Sequence, residues 1–300
     1  MILSSILSYP NRGHWGDLNY RGNTSGWIIK GLLEHFKPEK FMEIFAGGGT
    51  GFNVARELGY QNSVHLDLNP RWGGWNALRD EVPEGANFVF MHPPYHDIIK
   101  YSGEMWGEAH PDDLSRCPTY EDFIKKLDLV HSKVYASLRN GGRMAILIGD
   151  VRRKGEYFSI QKDMAWIGDL ETHLIKTQHN VQSNHKRYAG KLIPIMHEHL
   201  LIFKKNDVWF VSVVVTKKTK QDLRQSDRLT WRDLVQAALE QLGGKSDLDR
   251  LYQVIADTKR ATNNQHWKDK VRQTLQRYEE FKSLQRGIWQ LTFDSNARVA

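Results

Sequence analysis

The chain has 300 residues, of which 40% are hydrophobic and 26% charged, so it can bury a core and is not of the disordered class. No apolar run approaches the ~18 residues that span a bilayer, and the first residues lack the basic region of a secretion signal. The single cysteine, Cys117, excludes an internal disulfide and fits a reducing compartment. We therefore expect a cytoplasmic protein that has no membrane partner.

The net charge of +7 is unevenly distributed. Residues 217–300 hold 17 Lys and Arg against 11 Asp and Glu, whereas residues 1–216 hold 25 against 24. A polar, lysine-rich stretch at 217–228 reads as a linker. We predict two domains, 1–216 and 217–300, and expect the basic second domain to contact a polyanion.

Strands and helices alternate through the first half of the chain. Apolar runs predict strands at 41–45, 63–67, 88–91 and 144–148. Periodic apolar positions predict helices at 50–58 and, after the capping pair Thr119 and Asp122, at 119–140. This alternation predicts a doubly wound α/β fold, a mostly parallel sheet with helices on both faces.

The pattern changes later in the chain. Residues 199–203 and 208–211 flank a short turn at 205–207, which predicts an antiparallel hairpin at the end of the sheet. Beyond the linker, amphipathic helices are predicted at 229–242 and 267–281, and a strand at 287–292. We expect these last elements to form a small α+β domain.

Three polar signals fall at the carboxyl ends of predicted strands, where ligands bind in open parallel sheets. They are the glycine turn at 46–49, Asp67, and the run His92-Pro93-Pro94-Tyr95. Glycines let the backbone approach a ligand closely, and an aspartate at the end of the next strand can accept the two hydroxyls of a ribose. Alone, the glycine turn is equally compatible with a plain tight turn.

In combination, these motifs resemble those of the amino-methyltransferases that act on adenine N6 or cytosine N4. Residues 43–50 match the usual cofactor motif DPFxGxGT, residues 92–95 match a short polar residue followed by PPY, and residues 197–205 are similar to a late strand. The resemblance implies a Rossmann-like domain that binds S-adenosyl-L-methionine. The residues it assigns to the cofactor are Asn23, Thr24, Ser25, Glu43, Phe45, Ala46, Gly47, Gly49, Thr50 and Asp67.

The same resemblance assigns catalysis to His92, Pro93, Pro94 and Tyr95. An exocyclic amine is a poor nucleophile, and acceptors for its N–H hydrogens free its lone pair for attack. Two departures stand out, because Glu43 replaces the usual aspartate and His92 replaces the usual Asn, Asp or Ser. A neutral histidine keeps one acceptor nitrogen, so an unperturbed His92 predicts a loss of rate near pH ~6.5. Tyr95 is expected to stack on a flipped base.

Other polar residues have open interpretations. Asp97, Tyr101 and Asp150 are as compatible with structural roles as with functional ones. His197 and His199 have a spacing typical of metal ligands, but no cysteine cluster accompanies them, and we expect no metal.

The carboxyl-terminal segment resembles the winged helix-turn-helix modules of bacterial restriction and modification proteins. In that interpretation Lys268, Lys270, Arg272 and Arg277 face DNA. The alternative is a helical cap with solvated lysines.

We therefore expect a DNA methyltransferase acting on double-stranded DNA, with adenine N6 favoured and a nucleoid-associated location. Cytosine N4 methylation, RNA base methylation and a catalytically silent DNA-binding regulator stay open, as does a homodimer.

Overall fold

The computed structural model describes residues 3–179, 193–217, 219, 221–226 and 229–292. The chain divides into two compact units, Met1–Lys217 and Lys218–Ala300. The first contains two hydrophobic clusters and the second contains one. Across the described ranges, no helix has both the length and the apolar character that crossing a membrane requires.

The first unit is built around one large sheet. Its strands are β1 Ile6–Ser8, β2 Phe41–Ile44, β3 Val64–Leu66, β4 Phe88–Met91, β5 Arg143–Ile148, β6 Val151–Arg153, β7 Glu156–Phe158, β8 Trp166–Ile167, β9 Asp169–Thr177, β10 His197–Lys204 and β11 Val213–Val214. Its helices are α1 Gly26–Phe36, α2 Thr50–Glu57, α3 Tyr120–Ser137 and α4 Ile160–Asp163.

Seven strands form the large sheet in the order β1-β9-β10-β5-β4-β2-β3. The pairs β1–β9, β4–β5, β2–β4 and β2–β3 are parallel, while β10 is antiparallel to both of its neighbours. β10 is thus the single reversed strand of this sheet. The predicted mostly parallel α/β architecture is confirmed.

Both faces of the sheet are covered, and strands β2, β4 and β5 are buried along almost their whole length. α1 and α2 pack on one face with Ile28, Leu32 and Val54, all of which are buried. α3 packs on the other with Phe123 and Leu127. Thr119 caps α3 by accepting a hydrogen bond from the Asp122 amide at 3.1 Å, as predicted. The carboxyl ends of the parallel strands are left free at one edge.

The predicted hairpin of residues 199–203 with 208–211 is wrong. β10 pairs instead with β9, which the sequence reading missed, and with β5. Residues 208–211 form no strand, and the side chains of Trp209 and Phe210 are 87% and 79% exposed. β9 occupies the edge of β10 that the predicted partner would have taken.

The second unit alternates short helices with a small sheet. In chain order it contains α5 Trp231–Gln241, β12 Lys245–Asp247, α6 Leu248–Ile255, α7 Lys259–Thr262, α8 Trp267–Arg277, β13 Phe281–Gln285 and β14 Ile288–Leu291. The three strands form an antiparallel sheet in the order β12-β14-β13. A full capping box between Thr230 and Asp233 starts α5. The predicted helix 267–281 ends earlier, at Arg277, and Phe281 begins a strand whose first side chain enters the core.

Candidate active site

A pocket lies where the loops after β2, β3 and β4 meet. These are the loops that carry the glycine turn, Asp67 and the His-Pro-Pro-Tyr run. Of the residues predicted to bind a cofactor or to act in catalysis, ten line this pocket: Asn23, Thr24, Glu43, Phe45, Ala46, Gly47, Thr50, Asp67, His92 and Pro94. Ser25, Gly49, Pro93 and Tyr95 are not among its lining residues.

The glycine turn after β2 brings the backbone close to its surroundings. At Gly48 an added Cβ would lie 2.5 Å from the Asn23 side chain, so the position has no room for a larger residue. Phe45 holds a left-handed backbone with φ of 65°, a conformation that is rare and costly for an aromatic residue. The turn ends at the first residue of α2, Thr50, where helical N–H groups lack partners within the helix.

Asp67 is buried at the floor of this turn. Its Oδ2 accepts a hydrogen bond from the Gly47 amide and its Oδ1 accepts one from the Asn69 amide, both at 2.8 Å. Burial raises the pKa of this carboxyl to about 6, although the two amide donors lower it. Each carboxylate oxygen can accept a further hydrogen bond. Asp67 is therefore ionised at neutral pH and able to bind two hydroxyls.

Three hydroxyl groups near the turn have no partner of their own. Thr24 Oγ1, Ser25 Oγ and Thr50 Oγ1 are buried and make no hydrogen bond with any described residue. Buried polar atoms are normally satisfied, so unsatisfied ones beside a pocket indicate a polar ligand. Thr24 and Thr50 line the pocket directly.

Glu43 is less available to a ligand than the resemblance implies. Its Oε2 lies 2.7 Å from Nδ1 of His65, whose Nε2 lies 2.9 Å from Ser63 Oγ. The carboxylate also fills the space above Gly51, where any side chain would collide with it. Glu43 therefore ties β2 to β3 and α2, in addition to lining the pocket.

A chain of hydrogen bonds runs behind His92. Tyr95 Oη donates to Glu198 Oε1 at 2.6 Å, and Lys176 Nζ pairs with the other oxygen of Glu198. His92 Nε2 lies 2.9 Å from Tyr95 Oη. Because the single tyrosine proton is directed at the carboxylate, Tyr95 Oη can only accept from His92. His92 therefore carries its proton on Nε2, and Nδ1 keeps the free lone pair.

Burial keeps His92 neutral. Burial lowers the pKa of His92 to about 4, against the opposing effect of Glu198. Burial alone would raise the pKa of Glu198, but Lys176 and the hydrogen bond from Tyr95 hold it below its ordinary value. The expectation of an unperturbed His92 that titrates near pH 6.5 is therefore wrong. Sequence reasoning also missed Glu198 and Lys176, which meet only because β9 pairs with β10.

Aromatic residues that the motifs did not identify complete the pocket. They are Tyr20, Trp75, Tyr101 and Trp106, of which only Tyr101 was considered from the sequence. The rings of Tyr20 and Tyr101 stack with centroids 5.8 Å apart. Such walls suit a flat, heteroaromatic ligand. Most of these residues lie between the motifs in the sequence, but the sequence alone could not distinguish them from the other aromatic residues of the chain.

The four residues predicted to contact DNA lie on α8 of the second unit and are all exposed. Lys268 Nζ lies 5.3 Å from the centre of the Tyr252 ring, and Arg272 pairs with Asp269 one turn away. Val271 and Leu275 of α8 are buried in the core. The four basic residues thus lie on the exposed part of one helix, on both sides of its buried stripe.

Comparison with solved structures gives distant likenesses of fold. TrmN from Thermus thermophilus aligns at 15% identity over 62% of this chain and 50% of its own, with a TM-score of 0.38. A proposed DNA modification methylase from the same organism, complexed with S-adenosyl-L-methionine, aligns at 20% identity over 68% and 65%, with a TM-score of 0.28. The N-methyltransferase NodS from Bradyrhizobium japonicum, complexed with S-adenosyl-L-homocysteine, aligns at 9% identity over 59% and 88%, with a TM-score of 0.33.

The aligned region thus covers about half the length of TrmN. At TM-scores this low, the activity of none of these proteins can be assigned to this chain. No family model and no curated protein sequence matches the chain.

Proposed function

We propose that the first unit transfers a methyl group from S-adenosyl-L-methionine to the exocyclic amine of a base in double-stranded DNA, with adenine N6 as the target. One observation carries this proposal: His92, whose Nε2 lies 2.9 Å from Tyr95 Oη, lines the same pocket as the glycine turn and Asp67. The sequence motifs are the basis for naming the cofactor and the substrate, and residues of both motifs line one pocket.

The residues around the pocket fit this cofactor. Asp67 offers two acceptor oxygens for a ribose. The hydroxyls of Thr24 and Thr50 make no hydrogen bond with any described residue, and the carboxylate or ammonium group of the cofactor could bind them. Aromatic walls provide surface for an adenine ring. When bound, S-adenosyl-L-methionine supplies an electrophilic methyl group on a sulfonium.

Residues of the chain activate the target amine for attack on the methyl group. Nδ1 of His92 and a backbone carbonyl of the His-Pro-Pro-Tyr run accept its two N–H hydrogens, which directs the nitrogen lone pair towards the methyl group. A pKa of about 4 makes His92 a weak base, so it acts as a hydrogen-bond acceptor during attack. Tyr95, Glu198 and Lys176 hold the imidazole in the tautomer that this requires.

The direct test is transfer of a labelled methyl group from S-adenosyl-L-methionine to duplex DNA, with RNA of the same sequence as the comparison. We expect label in the DNA and little in the RNA. Preferential labelling of the RNA would favour the RNA-methylating alternative, and label in neither would refute the proposed activity on both.

The two perturbed pKa values predict a split pH dependence. Below pH about 6, protonation of Asp67 should weaken cofactor binding by up to about tenfold per pH unit, so KM for S-adenosyl-L-methionine rises. At saturating cofactor, kcat should stay level from pH 7 to about 5, since His92 protonates only near 4. Steady-state kinetics across this range test both. A kcat that falls with a midpoint near 6.5 would show that His92 is not shielded from solvent.

The second unit supports a nucleic-acid substrate. Its order of elements, α5, β12, α6, α7, α8 and then the β13–β14 hairpin, is typical of a winged helix-turn-helix module, in which a late helix enters the major groove. α8 holds that position and presents Lys268, Lys270 and Arg272 to solvent. We infer that these residues contact DNA phosphates.

Replacing Lys268, Lys270 and Arg272 together by alanine should weaken DNA binding and flatten its salt dependence. Each lost phosphate contact removes about 0.9 from the slope of log affinity against log salt. A chain ending at Lys217 should bind DNA weakly as well, yet keep its affinity for S-adenosyl-L-methionine.

A matched control replaces three exposed basic residues of the first unit, Lys125, Arg139 and Lys162, which changes net charge equally. Fluorescence anisotropy at several salt concentrations compares the variants. Equal effects of both triple variants would mean that net charge alone matters, and would remove α8 from the interface.

A further inference from the structure

A second cluster of polar side chains lies beside the catalytic loop and outside the pocket. Asp150 lies two residues after the end of β5, and His197 and His199 lie two residues apart on β10, with ring centroids 4.9 Å apart. One potential ligand atom from each of these three residues lies within 4.8 Å of the other two. Residue 149 joins this cluster to the loop, because a Cβ added to Gly149 would lie 2.5 Å from the Tyr95 ring.

Two atoms of this cluster are buried without a hydrogen bond to any described residue: His199 Nε2 and Asp150 Oδ1. His199 is only 8% exposed, so water does not readily satisfy it. Its Nε2 lies 3.5 Å from Asp150 Oδ2, a longer separation than the usual N–H···O hydrogen bond. Two ligands bound to one tetrahedral Zn²⁺ at 2.0–2.1 Å lie about 3.3 Å apart. The distance between Nε2 and Oδ2 therefore places the Asp150 carboxylate and the His199 ring close enough to share a cation.

Neighbouring side chains contact His199 and Asp150 in the way that residues outside the coordination sphere orient the ligands of a metal site. His199 Nδ1 lies 2.9 Å from His173 Nε2, and in the tautomer that donates from Nδ1 the lone pair of His199 is on Nε2. Asp150 Oδ2 accepts hydrogen bonds from Tyr157 Oη at 2.7 Å and Ser159 Oγ at 3.2 Å. The free Oδ1 and Nε2 atoms are thus fixed in place.

We propose that Asp150, His197 and His199 bind a divalent transition-metal ion, with Zn²⁺ the best match. Two imidazoles and one carboxylate are ligands that this ion accepts readily, and His197 is partly exposed, which allows entry from solvent. The ion joins the end of β5 to β10 and so supports the loop that carries Tyr95. This replaces the expectation from the sequence that no metal binds, since Asp150 could not be placed beside the histidines without the fold.

The test uses the full chain, stripped with a chelator and titrated with Zn²⁺ by calorimetry and with Co²⁺ by visible absorption. We expect one equivalent of either ion to bind and the melting temperature to rise with Zn²⁺. His197→Ala should weaken Zn²⁺ binding by more than about 100-fold, since the loss of an outer partner alone costs 10–100-fold. Asp150→Asn should act in the same direction and keeps the size of the side chain.

His35→Ala is the matched control, because His35 is an exposed histidine on α1. It should retain wild-type Zn²⁺ affinity. If the wild-type chain binds no stoichiometric Zn²⁺, or if both His197→Ala and Asp150→Asn bind it as tightly as wild type, the proposal is overturned and Asp150 and His199 form a simple ion pair. Methyl transfer is assayed separately, so either result leaves the proposed function to its own test.

Discussion

His92→Leu should lower kcat by about 10²–10³-fold, because the amine loses an acceptor aimed at it in the transition state. His92→Asn should retain activity within about tenfold of wild type, since the amide oxygen is an acceptor that does not titrate. Both values are measured at saturating cofactor and duplex DNA. Both variants should bind S-adenosyl-L-methionine normally, which controls for folding of the pocket.

The Leu and Asn variants distinguish chemistry from packing. If the role of His92 were only to fill space beside Tyr95, leucine would serve at least as well as asparagine. Equal activity of the two variants, at any level, would contradict a role for the acceptor nitrogen.

Asp67→Ala should weaken binding of S-adenosyl-L-methionine by about 10²–10⁴-fold. Two hydroxyls lose a charged acceptor, and each such hydrogen bond contributes about 1.5–3 kcal/mol. The change also removes the acceptor of the Gly47 and Asn69 amides, so the glycine turn loses support. Asp67→Asn keeps the shape and one acceptor oxygen, and should have an intermediate effect.

Asp169→Asn provides the control for this measurement. Asp169 is an exposed aspartate at the start of β9. In the sheet it lies opposite Lys204 at the end of β10, away from the edge that carries the pocket. Calorimetric titration should give it the wild-type dissociation constant. An unchanged constant in a folded Asp67→Ala protein would remove Asp67 from the cofactor site.

The central strands were predictable because burial on both faces favours nearly continuous apolar runs, which are visible in β2, β4 and β5. The carboxyl ends of β2, β3 and β4 then placed the glycine turn, Asp67 and His92 at one edge. β9 was missed because its sequence, DLETHLIKT, mixes charged and apolar residues on a partly exposed strand. Without β9, the sequence suggested a wrong partner for β10.

The hydrogen-bond chain of the site lay beyond sequence analysis for the same reason. Glu198 precedes the apolar run of residues 200–203 in a strand that is buried from 198 to 203, so its charge needs a partner. Its partner Lys176 is identified only by the register of β9 against β10. The tautomer and the low pKa of His92 follow from that register, since they depend on Tyr95, Glu198 and burial together.

Methyl transfer to adenine N6 is tested most directly by mass spectrometry of nucleosides from duplex DNA incubated with the protein and deuterated-methyl S-adenosyl-L-methionine. We expect N6-methyldeoxyadenosine that carries the deuterated methyl group, and a strongly reduced amount when His92→Leu is used. Labelled N4-methyldeoxycytidine would support the reaction but show that the target base is cytosine. Absence of any labelled nucleoside, with cofactor and DNA both bound, would contradict the proposed methyl transfer.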